Sequence, residues 1–106
     1  MPLHFLLRDH NFAMNRIDIF LNEREVSRVC KAIRTAGAPG YSVVRHVTGM
    51  GVAGEISEAM DFSGLGANAL VIVFCEPSQV QAVRDAVNPL LKLYGGIGFV
   101  SAADPL

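Results

Sequence analysis

Arg45 and His46 stand side by side in the segment Gly40–Thr48, and two glycines, Gly49 and Gly51, follow at once. The planar guanidinium fork of an arginine bonds two oxygens together, which suits a phosphate or a bicarbonate group. Glycine lacks the Cβ that would hold an anion away from backbone N–H groups. Ser42 carries a hydroxyl able to donate or accept a hydrogen bond. Two plainer readings stand beside these: Arg45 as one half of a surface or inter-subunit ion pair, and His46 as a polar residue of a sheet. Glu55, Glu58 and Asp61 recur every third residue. With no histidine or cysteine nearby in sequence, they read as one solvated side of a nascent helix rather than as metal ligands. Cys30 and Cys75 fall in apolar patterns and read as inert core thiols. His4 and His10 carry no assignment, and no residue is given a catalytic or metal-binding role.

These groups need a scaffold, and the chain is punctuated to make one. Arg16–Leu21 alternates, with Ile17, Ile19 and Leu21 on one face, as a half-buried strand does. Asn22 reads as the N-cap of a helix over Glu23–Ala36, with Glu25 at capping-box spacing. Val26, Val29, Cys30 and Ile33 supply its apolar stripe, and Gly37 and Pro39 end it. A second strand is predicted over Gly40–Thr48. Asn68–Cys75 is a continuous apolar run of strand length, suited to a central strand covered on both faces. Ser78 with Gln81 predicts the start of a second helix reaching about Tyr94, with Val80, Val83, Val87, Leu90, Leu91 and Tyr94 as its stripe. Pro89 inside that helix predicts a kink. Gly95-Gly96 ends it, and Ile97–Val100 makes a last strand. The order βαββαβ predicts an α+β, ferredoxin-like sandwich with an antiparallel sheet and both helices on one face. Between strands two and three lies a long connection with five glycines, of a length compact domains keep for function or disorder.

Composition sets bounds. With 106 residues the chain is one domain. It is 51% hydrophobic and 18% charged with a mean hydropathy of +0.35, more apolar than an average soluble domain. The excess implies apolar surface buried between subunits. A net charge of −1 without a basic run gives nucleic acid no footprint. The longest apolar run, Ala69–Cys75, is too short to span a bilayer. Two cysteines make no disulfide framework and fit a reducing cytoplasm. Residues 1–13 show no period and read as a flexible N-terminal extension before a domain over 14–106.

Three segments carry a resemblance. Ala36-Gly37-Ala38-Pro39-Gly40-Tyr41-Ser42-Val43-Val44 is similar to the AGATGYTVV signature of one branch of the PII-like signalling proteins. That is the SbtB-like branch, associated with bicarbonate transporters and carboxysome operons. Thr48-Gly49-Met50-Gly51 resembles the glycine pair at the base of that family's T-loop. Leu93–Ser101 resembles its final turn and strand. The resemblance spans about residues 15–104. It implies a homotrimer that is not an enzyme, with an adenine nucleotide in each cleft between subunits and bicarbonate as a companion ligand. The floor would be Ser42, Arg45, His46, Gly49, Met50 and Gly51, and the neighbour's roof Gly95, Gly96 and Ile97. The T-loop, here residues 52–67, would report to a bicarbonate transporter or a carboxysome-associated protein from the cytoplasm.

The chain also departs from the pattern. Residues 95–106 contain no Lys or Arg, where PII proteins proper hold polyphosphate with basic residues. Residues 52–67 are acidic where relatives carry arginine, and one extra residue separates Gly40 from Gly49. ADP or AMP is therefore expected over ATP. The cysteine-bearing C-terminal extension of some relatives has no counterpart within these residues, so redox control or nucleotide hydrolysis linked to it is not expected. A metal-binding trimer, of the efflux-associated PII-like or CutA-like kind, shares the topology and is the alternative reading. An acylphosphatase-type enzyme ranks last, because Asn22-Glu23-Arg24-Glu25 opens a helix without the glycines of a phosphate cradle.

Overall fold

A computed structural model describes residues 13–48 and 68–106. The readings placed on residues 1–12 and on the loop 49–67, including Gly49, Met50 and Gly51, lie outside the described residues. The elements are β1 (Met14–Asn22), a 3-10 turn (Glu23–Glu25), α1 (Val26–Thr35), β2 (Ser42–Arg45), β3 (Asn68–Cys75), α2 (Pro77–Tyr94) and β4 (Ile97–Ala103). The sheet is antiparallel throughout, in the order β2-β3-β1-β4. This is the ferredoxin-like α+β fold that the element order predicts.

Alternation decides which residues face the helices. Ile17, Ile19 and Leu21 of β1 and Ala69, Val71, Val73 and Cys75 of β3 are buried, in one core with Val26, Val29, Cys30 and Ile33 of α1 and Val83 and Val87 of α2. The register pairs Ile19 with Val71 and Ile17 with Val73, so the two central strands present one apolar surface to both helices. Burying each such side chain contributes roughly 1.5–3 kcal/mol.

The other face of the sheet carries no helix among the described residues. Cross-strand rows there read Ser42–Ile72–Asp18–Phe99 and Val44–Leu70–Phe20–Ile97. Phe74, Phe99 and Val44 are 45%, 55% and 46% exposed. Among the described residues, the continuous apolar run of β3 feeds the core on one side and an uncovered surface on the other, so the cover expected on its second face is not supplied by these residues. Arg16 and Asp18 pair on that surface at 2.9 Å, with the Arg16 guanidinium over the Phe74 ring.

Several boundaries also move. β2 stops at Arg45 rather than Thr48. The capping of α2 falls on Glu76 and Gln79 instead of Ser78 and Gln81. The Glu76 N–H donates to Gln79 Oε1 at 2.9 Å, Pro77 takes the first-turn place where no donor is needed, and Gln81 bonds Asp85 instead. Asn22 does cap, accepting from the Arg24 N–H at 2.8 Å, but its first turn is 3-10 and Glu25 engages Arg28 rather than closing a box. The helix end at Gly37 holds as expected. Gly37 sits at φ +95, its N–H donates to Arg34 and that of Ala38 to Ile33, which is the Schellman pattern. α2 continues through Pro89. Tyr94, expected on the buried stripe, is 42% exposed, and the Arg28 guanidinium lies 4.5 Å from its ring. β4 runs on to Ala103, because β1 extends back to Met14 and pairs with it throughout.

Candidate functional site

Strand β2 carries two of the candidate residues, Ser42 and Arg45, and pleating splits them; His46 follows directly after it. Ser42 pairs with Ile72 and so projects from the open face, exposed. Arg45 pairs with the buried Ala69 and projects toward the helical side, at the sheet edge. His46 adopts φ +61, the left-handed region a non-glycine residue enters only at a cost of about 1–2 kcal/mol. Val47 then returns to β3, its N–H donating to the Asn68 carbonyl at 3.0 Å. Arg45 lies opposite Ala69 and Val47 bonds Asn68, so His46 is an inserted, bulged residue.

The bulge turns the His46 N–H away from β3 and onto a carboxylate that sequence reasoning missed. Glu23 Oε2 accepts from the His46 N–H at 3.0 Å and lies 3.6 Å from His46 Nδ1, while Glu23 Oε1 lies 3.5 Å from Arg45 Nη1. The Glu23 side chain is 19% exposed, that of Arg45 52%. Arg45 is thus an ion-pair partner, the plainer of its two readings, and it remains open to solvent. Only the fold could reveal Glu23. It stands directly after the N-cap, where an acidic residue needs no reason beyond the helix dipole, and it is 22 residues from Arg45. Arg45 also lies close enough to Cys30 to act on it. Burial pushes the Cys30 thiol up, opposed by weaker pulls from the Tyr41 hydroxyl and the guanidiniums of Arg45 and Arg34. Cys75 is raised by burial alone. Both thiols are free and buried, as their apolar settings predict.

Gly95, Gly96 and Ile97 lie elsewhere. Gly95 is exposed at φ +92 and closes α2, its N–H donating to Leu91 at 2.8 Å; a side chain there would meet nothing within 4 Å. Gly96, at φ +119, is different. A Cβ on it would lie 2.7 Å from the Phe20 carbonyl oxygen and 3.0 Å from Leu91 Cδ2. Gly96 is therefore required by the packing of the turn on β1. Ile97 pairs with Phe20 and shares its half-buried face.

Val44, Leu70, Phe20 and Ile97 form one transverse row, so β2 and the turn before β4 sit at the same level on opposite edges of the sheet. Three strand spacings separate them, roughly 14 Å. Among the described residues the two groups of candidates do not come together. A groove of about 350 Å³ opens between α2 and β4, over Ile17 and Ile19 and beside Arg84 and Phe99, and none of the candidate residues lines it. Among the described residues no three His, Cys, Asp or Glu side chains converge as metal ligands, and no helix is long and apolar enough to cross a membrane.

An antiparallel βαββαβ sheet with helices on one face, an apolar second face and candidate residues divided between its two edges defines a ferredoxin-like domain of PII-like design. The family model for the nitrogen regulatory protein P-II matches residues 14–104, and the chain belongs to that family. Solved structures agree in fold. CPII, a nitrogen regulatory PII-like protein from Thiomonas intermedia, bound to ADP, AMP and bicarbonate, superposes with a TM-score of 0.71 at 20% identity over 87% of each chain. The same protein with ADP, AMP and acetate gives 0.71 at 18% identity, again over 87% of each chain. Its apo form gives 0.69 at 17% identity over 87% of this chain and 90% of that one. None of the curated proteins matches the sequence.

Proposed function

We propose that this P-II family chain is a non-enzymatic signalling protein that binds an adenine nucleotide, ADP or AMP ahead of ATP, together with bicarbonate, in the clefts of a homotrimer. The observation that carries the reading is the division of candidate residues between opposite edges of one sheet. Ser42, Arg45 and His46 occupy one edge, and Gly95, Gly96 and Ile97 the other, so a second copy must supply the missing half. The apolar open face supports association: among the described residues nothing covers Phe74, Phe99 and Val44, and a second copy packed on them would take them out of water. CPII, the fold relative, is seen with ADP, AMP and bicarbonate. Gly49, Met50 and Gly51 complete the proposed floor. The absence of Lys and Arg from residues 95–106 disfavours a third phosphate.

In this reading the domain over 14–106 follows an N-terminal extension, residues 1–13. Residues 52–67 act as the reporter, docking on a partner in the cytoplasm. The branch resemblance points to a bicarbonate transporter or a carboxysome-linked protein as that partner. Calorimetry with AMP, ADP, ATP and cyclic AMP, each with and without bicarbonate, tests the ligand, and sedimentation equilibrium tests the trimer. Binding of ADP or AMP by a trimer is expected; no binding in any combination refutes the proposal.

A further inference from the structure

Glu23 brings its carboxylate against two donors from the end of β2. Its two carboxylate oxygens receive a guanidinium N–H at 3.5 Å and a backbone N–H at 3.0 Å, with an imidazole nitrogen at 3.6 Å. A cation and a backbone amide converging on one carboxylate are donors of the kind an oxyanion site uses; the His46 ring nitrogen, at 3.6 Å, stands beyond hydrogen-bond reach. The amide is there by construction, because the bulge and the positive φ of His46 aim it away from the sheet. The His46 amide and Arg45 Nη1 cannot give the same hydrogens to a second anion while Glu23 holds them.

We propose that Glu23 is a built-in competitor: its carboxylate fills an oxyanion site formed by Arg45 and the His46 amide, and ligand must displace it to bind. The proposal rests on the ligand reading above and adds to it a residue that sets affinity. The shared chemistry is a resonance-stabilised oxyanion, either bicarbonate or a phosphate of the nucleotide. Glu23 is mostly buried and begins the turn into α1, so both the helix N-terminus and its partners favour its present position. Displacement therefore costs binding energy that a variant lacking the charge would save.

Titration calorimetry of the full chain with ADP, with sodium bicarbonate, and with both, compares wild type with Glu23→Gln. The amide keeps an acceptor for the His46 N–H but gives up the charge that competes for Arg45. Affinity is expected to rise about three- to tenfold in at least one arm, the range set by an exposed ion pair plus one charged hydrogen bond; the arm that gains identifies the anion. Glu25→Gln removes an equal charge two residues on, from a side chain that engages Arg28 rather than Arg45. It should change affinity less than twofold. If Glu23→Gln does not fold, Glu23→Asp keeps the helix-start charge but withdraws it by one methylene, and affinity should rise in the same direction. Unchanged or weaker binding in every arm, or an equal gain in Glu25→Gln, overturns the proposal while leaving the ligand reading intact. Absence of binding by wild type and variant alike overturns both.

Discussion

Gly95 and Gly96 are adjacent, both at positive φ, and predicted to respond very differently to one methyl group. Alanine at 95 would meet nothing within 4 Å, so it incurs only the conformational cost of φ +92 and ψ 163, a region almost reserved for glycine, about 1–3 kcal/mol. Alanine at 96 incurs a similar backbone cost at φ +119 and must also place Cβ 2.7 Å from the Phe20 carbonyl oxygen. That oxygen belongs to β1, held between β3 and β4, so it cannot swing aside as a side-chain end could. Leu91 Cδ2 at 3.0 Å and Leu21 Cβ at 3.3 Å close the remaining directions. Relieving such overpacking typically costs about 1–3 kcal/mol. Gly96→Ala should therefore destabilise by about 2–6 kcal/mol in total, against about 1–3 for Gly95→Ala. In a domain of this size each kcal/mol moves Tm by roughly 4–8 °C. Thermal unfolding of both variants at one fixed protein concentration measures the gap, which should exceed about 4 °C by that scaling. Equal melting temperatures would refute the close-packing account of the turn and return Gly96 to the ligand site. If Gly95 forms part of the roof, Gly95→Ala should lose nucleotide affinity while remaining folded, which separates the roles of the two glycines.

The open face and the β2 edge give further tests. Phe99→Asp removes a 55% exposed ring that an interface would bury for about 1.5–3 kcal/mol; sedimentation should show dissociation with the fold retained by circular dichroism. Arg45→Ala should weaken ADP or bicarbonate binding at least tenfold in calorimetry but change stability by no more than about 1 kcal/mol, because its pair with Glu23 is half exposed. Cys30 and Cys75, both raised above the ordinary thiol value mainly or wholly by burial, should react with a thiol reagent only on unfolding. Since the folded-state values are raised, their contribution to stability is present below the ordinary thiol pKa and is lost as pH rises through the folded value; melts from pH 7 into the alkaline range check that sign.

The fold was legible because it rests on periodicity. Alternation in β1, the stripe of α1, the glycine at its end and the apolar run of β3 are local patterns, and each falls in the element it predicts. The misplaced signals were also local, but had competitors. Ser78-Gln81 and Glu76-Gln79 have the same spacing, and Pro77 decides for the earlier pair because a first turn needs no donor at its position. Strand two was extended too far because nothing in Arg45-His46-Val47 marks a bulge: His46 is not glycine, and its positive φ is held by a carboxylate 23 residues away.

What the sequence by itself determined is the βαββαβ order, the core and the buried thiols, since each depends on residues within a turn or a strand of one another. What only the tertiary structure decided is how the candidate residues are shared out. Strand order places Ser42, Arg45 and His46 roughly 14 Å from Gly95 and Gly96, and strand order is set by which apolar faces pair, not by chain position. The same packing brings Glu23 onto Arg45 and the His46 amide. Ion pairs and backbone donors have no sequence period, so a contact between a helix entry and a distant strand edge becomes visible only once the sheet is assembled.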